Sequence, residues 1–399
     1  MKTSRAGLAL TMATLAFTVS FAGWSLLAPL APQFQQQYHM SDFDISLLIA
    51  VPVILGSLAR IPMGLITDRF GGRNVMTLLL LFIILPLLGI TTANSLPAFL
   101  LWGFLLGMAG SSFAVGIPYV SRRFRVERQG LALGIFGIGN IGTAISARFA
   151  PQITRWVGSW QPVFLTFASI TFLMAIVFYF LAEKDVRSDG PTKTFQQQLN
   201  VLKQEKLSWA FSLFYSVTFG GFIAFSLYLP TLLTNQFHLD KVDAGNRVAI
   251  FVVLATLARP FGGWLADRIG AANILFIVFT IIPVLALTLA FQPGMILLTF
   301  CFLFMALLFG LGSGAVFKLV PQYFPRQAGT VTGLVGAAGG LGGFFPPLIM
   351  GLAKTNFGSY ALGYVLLAIV TMICLFVAWL TLGPRRPIVQ AQGDVVTRP

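Results

Sequence analysis

Runs of about 20 apolar residues, each closed by a short polar or glycine-rich interval, follow one another from Gly7 to Leu382. That is the length at which an α-helix spans a bilayer. The pattern lays out twelve spans, the first six being Leu8–Leu30, Phe43–Thr67, Val75–Ala93, Pro97–Val120, Gly130–Pro151 and Trp160–Ala182. The second six are Ser208–Leu233, Asp243–Ala266, Asn273–Phe291, Gly294–Leu319, Gln327–Ala353 and Ser359–Leu382. The short alternating segments of a transmembrane β-barrel are missing from the pattern. The expected fold is therefore an all-α polytopic membrane protein of twelve transmembrane helices in two six-helix bundles. Its expected divisions are an N-terminal bundle (1–182), a polar linker (183–207), a C-terminal bundle (208–383) and a tail (384–399). The first run, from Gly7 to Leu30, exceeds the roughly 7–15 apolar residues of a signal peptide, so it reads as the first span.

Composition agrees: the chain is 57% hydrophobic and only 10% charged. Its net charge of +14 would suit a polyanionic partner if it formed one face, but the basic residues sit in short clusters between spans. They fall mainly in alternate intervals. Lys2, Arg5, Arg69, Arg73, Arg122, Arg123, Arg125, Arg128, Lys184, Arg187, Lys193, Lys203, Lys206, Arg268, Arg326, Arg385 and Arg386 lie on one side; Arg155, Lys241, Arg247 and Lys354 lie on the other. This asymmetry reports orientation, with both termini cytoplasmic, and excludes nucleic acid as the partner. Cys301 and Cys374 occupy separate apolar runs and imply neither a disulfide framework nor a metal motif.

The two halves repeat one another without a gap. Gln37, His39 and Asp44 match Gln236, His238 and Asp243; Arg60, Gly64, Asp68 and Arg69 match Arg259, Gly263, Asp267 and Arg268. Gly130, Gly134 and Gly137 match Gly329, Gly333 and Gly336 in the same register. Two same-sense six-helix halves are the parallel-repeat plan of one large transporter class.

The phrase Gly64-x-x-x-Asp68-Arg69-x-Gly71-Gly72-Arg73, between the second and third spans, resembles the loop signature of the major facilitator superfamily. The resemblance implies the major facilitator fold over the whole twelve-span plan. Asp68, Arg69 and Arg73, with Gly64 at the helix end and Asp267 and Arg268 in the repeat, are candidates for a cytoplasmic latch. Charge-assisted bonds to neighbouring helix ends would hold the halves in one state and break in the other. Topological anchoring by Arg69 and Arg73 is compatible with that role.

Arg60 and Arg259 sit about 12 Å of helix inside the two Asp-Arg pairs. A central Arg costs about 2.5–3.5 kcal/mol on insertion scales, and the cost recurs at the same position in each half. Snorkelling covers one exposed arginine more readily than a symmetric pair. No Asp or Glu lies near the middle of any span, so the pair predicts an anion site and offers few groups for a proton relay. Two glycine-rich helices follow. Gly137, Gly139 and Gly142 bracket Asn140 in the fifth span, and Gly336, Gly339 and Gly340 stand in the eleventh. These glycines suit close helix packing and conformational sliding. Asn140 suits either an interhelical hydrogen bond or an amide donated to an anion oxygen. No βαβ unit surrounds them, which excludes a dinucleotide fold.

The Gly-x-Gly-Asn-x-Gly phrase, its glycine-rich counterpart and one Arg in each of spans two and eight resemble the nitrate/nitrite porter family. The resemblance implies that Arg60, Arg259, Asn140, Phe113, Tyr215 and Phe219 hold nitrate or nitrite. Taken without it, Phe113 and Phe219 are two of 39 phenylalanines and read as packing. Guanidinium is flat and offers paired donors, which match two oxygens of a small planar anion. The expected function is secondary transport of nitrate and/or nitrite across the inner (plasma) membrane by alternating access, chiefly as exchange. The alternatives are proton symport, or another small monovalent anion such as cyanate. An enzyme would need a nucleophile, carboxylate pair or metal cluster at membrane depth, and none is seen. The expectation includes no cofactor and a functional monomer in the lipid bilayer. Arg148 reads as an interfacial anchor or an entry-path attractor, and Lys318 as a snorkelling residue.

Overall fold

The computed structural model describes residues 2–124, 126–184, 206–324 and 328–383, with the paired dipeptides 388–389 and 395–396. Most of the linker and the tail, with Arg125, Arg187, Lys193, Lys203, Arg326, Arg385 and Arg386, lie outside the described residues. Side chains near the start of the chain and at 125–131 and 325–330 lie outside them too.

Seventeen helices build the array among the described residues. The first half holds α1 (Lys2–Trp24), α2 (Leu27–Tyr38), α3 (Asp42–Leu58), α4 (Arg60–Phe70), α5 (Gly72–Thr91), α6 (Leu96–Leu106), α7 (Ser112–Ser121), α8 (Val126–Gly137), α9 (Gly142–Val157) and α10 (Gln161–Leu181). The second holds α11 (Lys206–Phe237), α12 (Lys241–Ile269), α13 (Ala271–Ala290), α14 (Met295–Tyr323), α15 (Ala328–Gly342), α16 (Phe345–Phe357) and α17 (Ala361–Leu382). Joined pairs such as α1–α2, α6–α7, α8–α9 and α15–α16 each make one span, and eleven spans result, or twelve when the bent pair α3–α4 counts as one. Several expected straight helices are thus broken.

Each break has a local cause. Pro62 has no N–H to give the Leu58 carbonyl, and its ring crowds that turn. The second span accordingly bends by 41° between Leu58 and Arg60, which puts Arg60 at the bend. In the fourth span a 3₁₀ turn over Gly107–Ser111 lies against α3. There a Cβ on Gly56 would come within 2.8 Å of the Gly107 carbonyl, so the two backbones meet directly. Asn140 lies in a second 3₁₀ turn, Ile138–Ile141, between α8 and α9. The start of α3 is held by a capping box in which Ser41 accepts from the Asp44 N–H and Asp44 accepts from Ser41.

The halves meet through α3 against α16 and α15, α12 against α9, and α11 against α2. Their polar ties cluster at the end opposite the chain termini. Asn235 donates to Gln35 at 3.0 Å and Lys241 to Gln36 at 3.1 Å, while Arg148 donates to Asn246 and Arg155 pairs with Asp240. Backbone closes the rest: Gly245 on α12 lies against the Ala147 carbonyl, and Gly351 on α16 against Ser46. This end is sealed.

Partial burial pushes the Asp240 carboxyl up, but the Arg155 hydrogen bond and the backbone N–H groups of Val242 and Asp243 outweigh it and hold the acid below its ordinary range. A depressed carboxylate favours the closed form above its ordinary value near about 4, and that contribution is lost as pH falls through the depressed value. Closure of this end should therefore be flat from roughly pH 5 to 8, while Asp240→Asn removes the tie at every pH. Distances between spin labels across the sealed end check this; a steep change within that window would contradict it.

Candidate functional site

Arg60 is buried, with 4% of its surface exposed. From the bend its guanidinium reaches two backbone carbonyls: Nε donates to Gly110 at 3.3 Å in its own half, and Nη1 donates to Gly336 in the other half. The 3₁₀ turn carrying Gly110 and the bare surface at Gly336 admit it; a Cβ at Gly336 would find only Arg60 Nη1, at 4.0 Å. Arg259 enters from α12 of the second half. Its Nη2 donates to the Tyr215 hydroxyl at 2.7 Å, and its buried Nη1 has no acceptor among the described residues.

One aromatic ring joins the two arginines. The Phe219 centroid lies 5.5 Å from the Arg60 guanidinium carbon and 5.0 Å from that of Arg259. Tyr215 stacks on Phe219 with centroids 4.9 Å apart, as residues four apart on one helix do. Phe113 supplies a second wall 5.7 Å from Arg60. Cation–π attraction of this kind offsets part of the cost of burying a guanidinium, about 0.5–2 kcal/mol per contact. The floor is completed by Phe317 on α14, whose ring lies 4.7 Å from Tyr215 and 6.3 Å from Phe113. Phe317 has no sequence signal among so many phenylalanines; only the packing selects it.

Asn140 is fully buried, and its amide donates to the Gly137 carbonyl at 2.8 Å, while its Oδ1 has no partner among the described residues. This local bond breaks the repeat: the Gly336 carbonyl takes Arg60, but the equivalent Gly137 carbonyl takes Asn140. Arg259 is thereby left with the open donor.

The six glycines divide by what a side chain would meet. A Cβ on Gly139 would overlap the Phe17 ring, on Gly142 the Thr18 carbonyl, on Gly339 the Tyr215 ring and on Gly340 the Ser57 hydroxyl. At Gly137 there is open space. Four of the six are packing contacts, whereas Gly137 and Gly336 leave room beside the arginines.

The loop residues pair within their own halves. Asp68 takes Arg122 at the end of α7, and Asp267 takes Lys318 on α14, so neither pair crosses between the halves in this conformation. Lys318 forms an ion pair where snorkelling alone was expected. Arg69 lies over Phe70 at 5.3 Å, Arg73 over Tyr179 at 5.1 Å and Arg268 over Trp264 at 4.1 Å. A Cβ on Gly64, or on Gly263 in the repeat, would meet nothing within 4 Å. Arg148 belongs to the seal and is not in the central site.

A repeated helical bundle with one cationic, aromatic-walled site between its halves is the plan of a carrier. The model of the Major Facilitator Superfamily matches residues 13–347 and again 211–397. The "Nitrite extrusion protein" of Bacillus subtilis (strain 168) is 39% identical over 371 residues, 92% of this chain and 93% of that one. A "Probable nitrate transporter NarT" of Staphylococcus epidermidis is also 39% identical, covering 92% of this chain and 94% of its own. Among solved structures, a bacterial homologue of the human lysosomal transporter Spinster, inward-facing and unoccupied, superposes with a TM-score of 0.74 at 16% identity, over 94% of this chain and 96% of that one. The chain belongs to the major facilitator superfamily and, within it, to the nitrate/nitrite porters.

Proposed function

We propose that this protein carries nitrate and nitrite across the bacterial plasma membrane by alternating access, with both termini in the cytoplasm, as a functional monomer. The observation that carries this reading is the pair Arg60 and Arg259 over the single Phe219 ring, with Arg259 Nη1 unpaired. Among the described residues, the acidic side chains on the two arginine-bearing spans, Asp42, Asp44, Asp68, Asp243 and Asp267, stand at the helix ends and away from the level of the pair, and offer it no counter-charge. A monoanion lying flat against Phe219 would accept from Arg259 Nη1 and from Arg60, replacing the Gly336 carbonyl there. Asn140, Phe113 and Tyr215 would complete the site. Gly137, Gly139, Gly142, Gly336, Gly339 and Gly340 would carry the sliding surfaces, and Gly64, Asp68, Arg69, Arg73, Asp267 and Arg268 would re-form as a latch in the opposite state. The halves that rock are residues 1–182 and 208–383.

Two like charges disfavour closure unless an anion lies between them, which supports exchange of nitrate for nitrite. Proton symport draws support from a different contact. The Gly336 carbonyl gives Arg60 an acceptor from the opposite half that requires no anion, so the carrier can close without cargo. Counterflow in proteoliposomes separates the two. Exchange predicts nitrate uptake that depends on internal nitrite or nitrate and is indifferent to a pH gradient. Strong uptake into anion-free vesicles driven by a pH gradient would sink exchange and establish symport.

A further inference from the structure

Most buried or half-buried hydroxyls in these helices fold back onto their own backbone, as Ser20 does on Ala16 and Thr218 on Phe214. Ser57 and Thr256 do not. Each is 1% exposed, and each hydroxyl is buried without a partner among the described residues. They are equivalent in the repeat, one helical turn before Arg60 and Arg259 respectively.

Their placement follows from what lies on the same helix faces. Residues eleven apart fall on one face after three turns, and residues seven apart nearly so after two. On α12 the face runs Gly245, Thr256, Gly263; on α3, up to the bend, it runs Ser46, Ser57. The first position of each touches the other half, Gly245 at the Ala147 carbonyl and Ser46 at Gly351. The third position on α12, Gly263, meets open space. The two hydroxyls therefore stand on the faces the halves present to one another, one turn nearer the sealed end than the arginines. Ser57 is tied more closely still. A Cβ on Gly340 would overlap its hydroxyl and lie 3.4 Å from the Arg60 guanidinium carbon, so the hydroxyl and the guanidinium share one bare glycine surface.

We infer that Ser57 and Thr256 are substrate-selecting hydroxyls, donating to the edge of the bound oxyanion that points toward the sealed end. This assignment rests on the nitrate/nitrite reading of the site. Two oxygens of a planar anion face the guanidinium groups, whose donors come in pairs. The third oxygen of nitrate then projects one turn toward the seal, at the level of Ser57 and Thr256. Nitrite has only a nitrogen lone pair at that position and gains less from the hydroxyls.

Isothermal binding of sodium nitrate and sodium nitrite to the purified full chain tests the assignment, with Ser57→Ala, Thr256→Val and the double variant. A hydroxyl donating to an anion makes a charge-assisted hydrogen bond, whose loss corresponds to about 10- to 150-fold in affinity. Each single variant should lose about that much nitrate affinity and less than about twofold for nitrite, which moves the preference toward nitrite. Ser57→Thr and Thr256→Ser keep the hydroxyl and should keep the wild-type ratio, including if the apolar variants fail to fold. Equal losses for both anions, an unchanged ratio, or a shifted ratio in the hydroxyl-keeping variants would overturn the assignment. Wild-type protein that binds neither anion would overturn the nitrate/nitrite reading itself.

Discussion

Replacing Arg60 or Arg259 by lysine should abolish transport and leave the fold in place. Both substitutions keep the positive charge, so a role as a mere electrostatic or topological anchor predicts near-normal activity. The geometry predicts otherwise. Arg60 uses Nε and Nη1 in two directions at once, toward Gly110 and Gly336, and a single ammonium cannot span both. Arg259 holds Tyr215 with Nη2 while Nη1 stays open, a division of labour that needs a fork. Charge-assisted bonds are worth about 1.5–3 kcal/mol each, so losing the fork should cost on the order of 10- to 100-fold in anion affinity at either site. Transport should fall further, because in the proposed site both arginines act on one anion. Uptake into proteoliposomes, read beside size-exclusion behaviour and helix content, checks this. Near-normal uptake in either variant would remove that arginine from the binding site.

A branched side chain at Gly245 should hold the sealed end open. The α12–α9 crossing brings Gly245 against Ala147, where a Cβ would overlap the Ala147 carbonyl and lie 3.3 Å from the Pro151 ring, so a valine cannot fit without separating the helices. Overpacking of this kind costs about 1–3 kcal/mol, enough to shift a balanced open–closed equilibrium by about 5- to 100-fold. The cost falls only on the conformation in which the two helices touch, so the fold survives and the cycle stalls. A cysteine at Val252 reports the change, since that position is fully buried and two turns from Gly245 on the same face. In a background lacking the buried Cys301 and Cys374, Gly245→Val should raise its reaction with a membrane-impermeant thiol reagent at least about tenfold and stop transport. Unchanged labelling with normal transport would show that the crossing is no gate. Gly245→Ala should give a smaller effect in the same direction.

The bends and the site lie at different depths of legibility. Spans appear in the hydropathy because a bilayer leaves no water for exposed backbone groups. The bend before Arg60 is half visible, since Pro62 is in plain sight but its effect on the direction of Arg60 is not. On sequence alone Asn140 suits two uses, and its bond to Gly137 follows a local i−3 spacing that the sequence displays. Phe317 and the Ser57 hydroxyl were not guessable. Aromatic and hydroxyl residues are common in these helices, and nothing local distinguishes one that faces a gap from one that faces a neighbour.

The loop phrases show the same division. Asp68 and Asp267 announce ion pairs, because a carboxylate at a helix end beside arginines will find a cation. Their partners, Arg122 and Lys318, come from helices far along the chain and are not related by the repeat. Each half therefore solves the same local demand with a different residue.

By itself the amino-acid sequence determined the membrane setting, the twelve-span plan, the twofold repeat and the two arginines that the repeat makes significant. Those follow from transfer free energies and register, which act on each stretch of chain where it stands. Only the tertiary structure decided that Arg60 and Arg259 share one ring, that the Gly336 carbonyl reaches Arg60 across the halves, and that Gly245 and Gly351 seal one end. These are contacts between segments up to hundreds of residues apart. Helix crossings set them, and bare backbone at glycine allows them, a property whose meaning depends on what packs opposite.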